Sequence, residues 1–215
     1  MRFGIVVYED VEPIDIGATF GVLSMARRIE PTIEMFLVAA RGGVVRLAGG
    51  LEVIAHHGFA DCPAADALIV AGGPGWKREA GNPALLAFLR DRARGAGIVA
   101  SVCTGAMILA AAGLLDGHHA TTKREVTGAE IPPIAVLRDA YPAVRVVTAP
   151  VVDEGSIVTG GGVSLAIDLT LHLLERLGGA PLAAETSRII EYTNARQANR
   201  LAFQTAGRRR GGAVG

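Results

Sequence analysis

This sequence predicts a single doubly wound α/β domain, a mostly parallel central sheet flanked by helices. Short, wholly apolar runs alternate along it with longer amphipathic stretches, the pattern of strands covered on both faces by crossover helices. Glycine-rich turns follow several of those runs, where a strand must hand the chain to a helix. The 215 residues contain no internal repeat and no low-complexity linker, and one large domain accommodates that length.

Phe3–Val7 is the first apolar run and reads as a buried strand. Pro13 opens a helical stretch that places Ile16, Phe20, Leu23 and Ala26 on one face. Ile33–Ala40 is a second strand. Two Gly pairs, Gly42-Gly43 and Gly49-Gly50, bracket Val44–Leu47 ahead of Leu51–Ile54 and predict a hairpin. Ala67–Val70 is a third buried strand running into Gly72-Gly73-Pro74-Gly75. Asn82-Pro83 caps a helix that extends to about Arg94. Ile98–Val102 is the fourth strand and passes directly into Cys103-Thr104-Gly105 and a helix over Ala106–Ala112, which Gly113 stops. Val144–Val147 and Ile157–Thr159 read as late strands around the acidic turn Asp153-Glu154-Gly155. Helices over Ser164–Leu177 and from about Pro181 to Glu191 complete a domain spanning residues 1–192. Residues 193–215 are basic, with Arg196, Arg200 and Arg208-Arg209-Arg210 and no acid, and predict a flexible, solvated tail.

Composition narrows the function. Half of the residues are hydrophobic, which excludes a disordered chain, and 28 Gly without a Gly-X-Y period exclude collagen. Twenty-one basic residues balance 21 acidic ones, so no global field attracts nucleic acid or an anionic membrane. Two cysteines, Cys62 and Cys103, make no disulfide framework. The first apolar run is too short for a signal peptide, and no stretch approaches a membrane span. These features predict a soluble cytoplasmic protein with reduced thiols.

In an open α/β sheet, ligands gather beyond the carboxyl ends of the strands. The segments Glu9–Asp15, Gly72–Gly75, Cys103–Gly105 and Gly160–Gly162 all follow strands and should meet there. Cys103 lies where a strand turns straight into a helix, the position of a nucleophile elbow. The helix N-terminus should favour its thiolate, and the amides there could hold negative charge developing on a substrate.

The Val102-Cys103-Thr104-Gly105-Ala106 string belongs to an ordered set of motifs. The others are Pro13-Ile14-Asp15-Ile16-Gly17, Phe59-Ala60-Asp61-Cys62-Pro63, Gly72-Gly73-Pro74-Gly75, Ala111-Ala112-Gly113-Leu114-Leu115-Asp116-Gly117, Ala120-Thr121-Thr122 and Thr159-Gly160-Gly161-Gly162-Val163, with Ile167-Asp168. In this set the chain resembles the ThiJ/PfpI superfamily, of flavodoxin-like, class I glutamine amidotransferase-like fold, and most of all its isocyanide hydratase branch. The resemblance implies that Cys103 is the nucleophile and Asp15 its acid/base partner. It implies a substrate or oxyanion pocket at Gly72, Gly73, Gly75, Thr104 and Gly105, supported by Gly161 and by Asp168, which would hold loop amides. It implies a homodimer acting on a small-molecule substrate. The residues themselves predict no cofactor, no metal, no nucleic acid and no membrane partner, since phosphate-binding glycine motifs and zinc-ligand spacing are missing and charge is balanced.

Thr104 stands where protease-like members carry His, and its hydroxyl cannot act as an imidazole base. Lys123-Arg124 replaces the usual His-Trp, and Ala18-Thr19 replaces a Gly-Pro-like turn. Three readings follow: an isocyanide hydratase-like lyase, a glyoxalase- or deglycase-like enzyme on reactive aldehydes, and a ligand- or oxidation-sensing module related to AraC-type regulator sensor domains. The remaining candidates read as structural. Cys62 is a small buried hydrophobe, and His172 a packed or interface residue. His56-His57 and His118-His119 are adjacent pairs whose side chains should point apart in a strand. Trp76 either walls the pocket or covers the core. The helices Ile16–Ala26 and Ser164–Leu177 offer apolar faces to a core or to a dimer partner.

Overall fold

The computed structural model describes residues 1–95 and 97–210. The chain runs β1 (Arg2–Val6), α1 (Pro13–Ile16), α2 (Val22–Ala26), β2 (Glu34–Val38), β3 (Gly43–Arg46), β4 (Glu52–Ala55) and β5 (Ala67–Val70). It continues α3 (Trp76–Glu79), α4 (Pro83–Ala93), β6 (Ile98–Ser101), α5 (Gly105–Ala111), β7 (His119–Ala120), α6 (Pro133–Ala140), β8 (Arg145–Val146), β9 (Val151–Asp153), β10 (Ile157–Gly160), α7 (Leu165–Gly178), α8 (Ala180–Ile189) and α9 (Thr193–Arg210).

A six-stranded sheet has the order β2-β1-β5-β6-β10-β9. Its first five strands are parallel and β9 is an antiparallel edge. The register aligns Leu37, Ile5, Ile69, Ala100 and Val158 in one buried row across the sheet. Helices α2, α7 and α8 pack as one group, and α3–α6 as another built around α5. The two apolar helices that the sequence offered as interface candidates meet each other: the Thr170 hydroxyl of α7 donates to the Ala18 carbonyl at 2.9 Å. Strand order reverses between β1 and β5, and the crevice at that switch point opens on the carboxyl ends of both.

Several elements have their predicted local chemistry. Asn82 caps α4 by accepting from the amides of Ala84 and Leu85 at 3.1 and 3.4 Å. Gly113 ends the elbow helix at φ 73°, a conformation costly for any residue with a Cβ.

Others differ. The stretch after Pro13 is not one continuous helix: a π-helical segment, Gly17–Gly21, joins α1 to α2. Gly17 and Gly21 frame that widened turn, and the Thr19 hydroxyl donates to the Asp15 carbonyl at 2.7 Å within it. The strand before the acidic turn is Val151–Asp153, whereas Val144–Val147 contributes only Arg145–Val146, paired with β7 in a separate two-stranded sheet. The β9–β10 turn closes because the Asp153 carboxylate accepts the Gly155 amide at 2.9 Å.

Within the predicted tail the chain is helical from Thr193, and one face of the first turns contacts the domain while most of its described side chains stay exposed. Arg196 is only 12% exposed and pairs with Glu175 at 2.8 Å. The side chains of Arg208-Arg209-Arg210 and all of residues 211–215 lie outside the described residues. Among the described residues, no helix is long and apolar enough to cross a membrane.

Candidate active site

The segments after β1, β5, β6 and β10 meet at the carboxyl ends of the sheet. The Glu12 amide donates to the Gly72 carbonyl at 2.9 Å, and the Cys103 amide to the Gly161 carbonyl at 2.9 Å. Between β6 and α5 lie only three residues, and Cys103 turns the chain at φ 52°. For a residue with a Cβ this left-handed conformation costs roughly 1–2 kcal/mol, so surrounding bonds must hold it. Besides its own amide, its carbonyl accepts the Thr122 hydroxyl at 2.7 Å. Thr122 belongs to the Ala120-Thr121-Thr122 motif, and pinning the elbow is a role that sequence reasoning had not assigned to it. Gly105 is needed here because any Cβ would collide with the Val70 carbonyl.

Asp15 reaches the same point from the first turn after β1. It is fully buried, and its Oδ2 accepts the Gly72 amide at 2.7 Å. Oδ1 has no hydrogen-bond partner at ordinary geometry. Burial pushes the Asp15 carboxyl up to about 7, and the Glu12 charge adds to it; the Gly72 amide, the Cys103 thiol and Lys123 pull the other way. The carboxyl and the thiol are thus close enough for the charge of one to raise the other's pKa. They titrate as a pair.

Cys103 is 2% exposed. Burial, and then the Asp15 charge, push its thiol up to about 12, against the amides of Val163 and Thr104 and the charge of Lys123. This corrects the expectation of a thiolate favoured by the helix N-terminus. At rest the proton belongs to sulfur, because two negative charges in one dry site repel and neither is well solvated.

The glycine loop also differs from expectation. The amides of Gly72 and Gly73 are already engaged inside the protein, by Asp15 Oδ2 and by the Thr104 hydroxyl at 2.9 Å. The Gly75 amide faces the Asp10 carbonyl at 3.4 Å, and the Gly105 amide donates to Val102 at 2.9 Å. These glycines let the loops approach each other: a Cβ on Gly72 would stand 2.7 Å from the Cβ of Cys103. The amides aimed at sulfur come instead from Thr104 and Val163. Val163 holds φ 54°, an outlier for a β-branched residue, in the loop that brings its amide to the elbow. The Gly160–Gly162 run before it was the available sequence signal; Val163 itself carried none.

Asp168 does not hold a loop amide. Its Oδ2 accepts from the Tyr192 hydroxyl and from the Asn199 side chain, both at 2.9 Å, and so ties α9 to α7. His172 bonds Asp153 at 2.6 Å. His118 and His119 do not point apart: both bond Glu154, at 3.4 and 2.9 Å, because only His119 is in β7.

Beside Cys103 lies a cavity of about 650 Å³. Trp76, Val126, Ile131 and Val136 give it an apolar wall, and Glu12 and Lys123 line it near the elbow. Trp76 therefore walls the pocket. A thiol with a carboxyl against it, two amides at the sulfur and an apolar chamber in front can bind a small, mostly apolar electrophile. Such a site can attack that electrophile and move one proton back and forth.

Comparison with known proteins gives the family and the fold. The sequence model of the DJ-1/PfpI family matches residues 1–176. The isonitrile hydratase of Pseudomonas putida is 30% identical over 197 residues, covering 91% of this chain and 80% of that protein. The HTH-type transcriptional regulator GbdR of Pseudomonas aeruginosa is 29% identical over 188 residues, covering 82% of this chain but 49% of the regulator. Among solved structures, a THiJ/PfpI family protein from Pseudomonas syringae superposes with a TM-score of 0.75 at 27% identity, covering 89% of this chain and 75% of that one.

Proposed function

The chain belongs to the DJ-1/PfpI family, and from that premise we propose that it is a cysteine-dependent hydro-lyase that converts isocyanides to N-substituted formamides. The observation that carries the reading is the Cys103–Asp15 pair, in which a fully buried carboxyl is held at about 7 against the thiol. A group with a pKa near the working pH serves equally as acid and as base. The likeness to an isonitrile hydratase supports the substrate class.

The reaction needs no other proton carrier. Asp15, as carboxylate, takes the thiol proton while sulfur bonds the terminal carbon of the isocyanide. The amides of Thr104 and Val163 receive the charge on sulfur as it forms. Asp15 then returns the proton to that carbon, which leaves a thioimidate on Cys103. Water adds to the same carbon, with Asp15 taking a proton from the water and passing it to nitrogen. Collapse of this adduct breaks the carbon–sulfur bond, the hydroxyl proton returns to sulfur, and the formamide leaves. The net change is isocyanide plus water.

The test is turnover of cyclohexyl isocyanide to its formamide by wild type, Cys103→Ala and Asp15→Asn. Turnover that both substitutions abolish is the expected result. No turnover by folded wild type would overturn the hydratase reading and move the same pair to aldehyde chemistry or to sensing.

A further inference from the structure

Lys123 is the residue that the cysteine–carboxyl chemistry above leaves without a task. It lines the same cavity as Cys103, Thr104 and Val163. Its stem lies flat on the third glycine loop: a Cβ on Gly162 would stand 2.7 Å from Lys123 Cγ and 3.0 Å from its Cα. Its carbonyl accepts the Ile134 amide at 3.0 Å, which fixes the main chain at the start of α6. The ammonium donates to the Glu125 carbonyl and makes no ion pair among the described residues. Its neighbour Arg124 turns away, to Glu125 at 3.3 Å and over the Phe203 ring at 4.9 Å. A cation without a carboxylate partner is therefore packed onto the loop that supplies the Val163 amide.

We infer that Lys123 is the charge partner of the Cys103–Asp15 pair, a positioning residue whose ammonium offsets the single negative charge the pair carries, on the carboxylate at rest and on sulfur once the thiol proton has moved. The physical need is plain. Converting thiol and carboxylate to thiolate and carboxylic acid leaves one negative charge in the site throughout, but moves it onto a poorly solvated sulfur. Two amide dipoles compensate that charge only in part, and a full positive charge nearby does so more strongly.

Of the other ionisable groups around the pair, all but Lys77 are of the wrong sign or engaged. Glu12 raises the Asp15 pKa. Tyr8 donates its hydroxyl to the Ala71 carbonyl at 2.9 Å. Arg78 is held by Asp10, Glu79 and the Glu9 carbonyl. Lys77 and Glu130 line the outer cavity with opposite charges.

The test is the pH profile of iodoacetamide alkylation, followed at the Cys103 peptide by mass spectrometry. It compares wild type, Lys123→Met, Lys123→Arg and Gly162→Ala. Methionine keeps the stem on Gly162 but removes the charge. We expect Lys123→Met to slow alkylation about tenfold near neutral pH and to move the profile about one unit upward. Lys123→Arg should restore it to within about threefold, and Gly162→Ala, which displaces the stem, should fall between. An unchanged profile in Lys123→Met would overturn the inference. So would an equal slowing at every pH that arginine fails to rescue, since that reports structure and not charge. In turnover, the inference rests on the hydratase reading; alkylation does not. A shifted profile in a protein that leaves isocyanide untouched would sink the reading and keep the role of Lys123.

Discussion

Cys62 and Cys103 sit at opposite ends of the same sheet. Both are free and both are buried, at 8% and 2% exposure, and burial raises the pKa of each. The similarity ends there. Cys62 lies just before β5 in an ordinary turn, with its sulfur 3.5 Å from the Pro63 carbonyl. The nearby Arg92 guanidinium binds the carbonyls of Cys62 and Pro63, at 2.6 and 3.3 Å. No carboxyl is poised to take the Cys62 proton from within the core. Cys103 has a strained backbone, with a buried carboxyl and two amides acting on its sulfur. Burial by itself makes an inert thiol. A buried nucleophile needs somewhere for its proton to go.

Substitutions should separate the two thiols widely. Cys103→Ala should reduce isocyanide kcat/KM by about 10⁴-fold or more, as the loss of a covalent nucleophile does elsewhere. Cys62→Ala should leave it within about twofold, since that sulfur lies outside the cavity that Cys103 lines. A folded Cys62 variant without activity would break the contrast. Asp15→Asn is close in shape and removes the buried carboxyl that acts on Cys103. It should lower kcat by about 10²- to 10⁴-fold in steady-state kinetics.

The same carboxyl should appear in the stability of the protein. Its pKa is raised from an unfolded value of about 3.9 to about 7 in the fold. Between those values the unfolded chain releases a proton that the folded one retains, so stability falls as pH rises from about 4 to about 7. Asp15→Asn should flatten that window, and above it should be more stable than wild type by a few kcal/mol, on the order of the linkage of a coupled buried group. Chemical denaturation at several pH values checks the sign; a wild type that gains stability over that range relative to Asp15→Asn contradicts it. Gly72→Ala forces a methyl against the elbow and should cost about 1–3 kcal/mol in the same assay. The smallest effect belongs to Thr104→Val, which removes the hydroxyl accepting the Gly73 amide. About 1 kcal/mol is expected there, with kcat/KM reduced less than in Asp15→Asn.

The strands and their order along the chain were legible because a buried strand is a short apolar run and a parallel sheet needs helices between such runs. The elbow was legible for the same reason: an apolar run that meets Cys103-Thr104-Gly105 without a linker leaves no room for anything but a sharp turn. The Asn82 cap, the Gly113 stop and the Val44–Ile54 hairpin rest on turn chemistry contained within a few residues. Asp15 was legible only through the resemblance of its motif, since no local pattern distinguishes it from Glu9, Asp10 or Glu12.

What the tertiary structure decided is which groups are already taken. Whether the Gly72 amide is free depends on Asp15, 57 residues away, and whether the Gly73 amide is free depends on Thr104, 31 residues on. The partners of Asp168 came from Tyr192 and Asn199, so the helix that begins at Thr193 is tied to α7 at its start. The direction of the Cys103 pKa was decided in the same way. A helix N-terminus can be read from sequence, but the burial and the facing carboxylate that outweigh it arise only when four loops close on one another. Short-range order follows from the residues in their own segment. The state of a proton depends on every charge and dipole that folding brings near it.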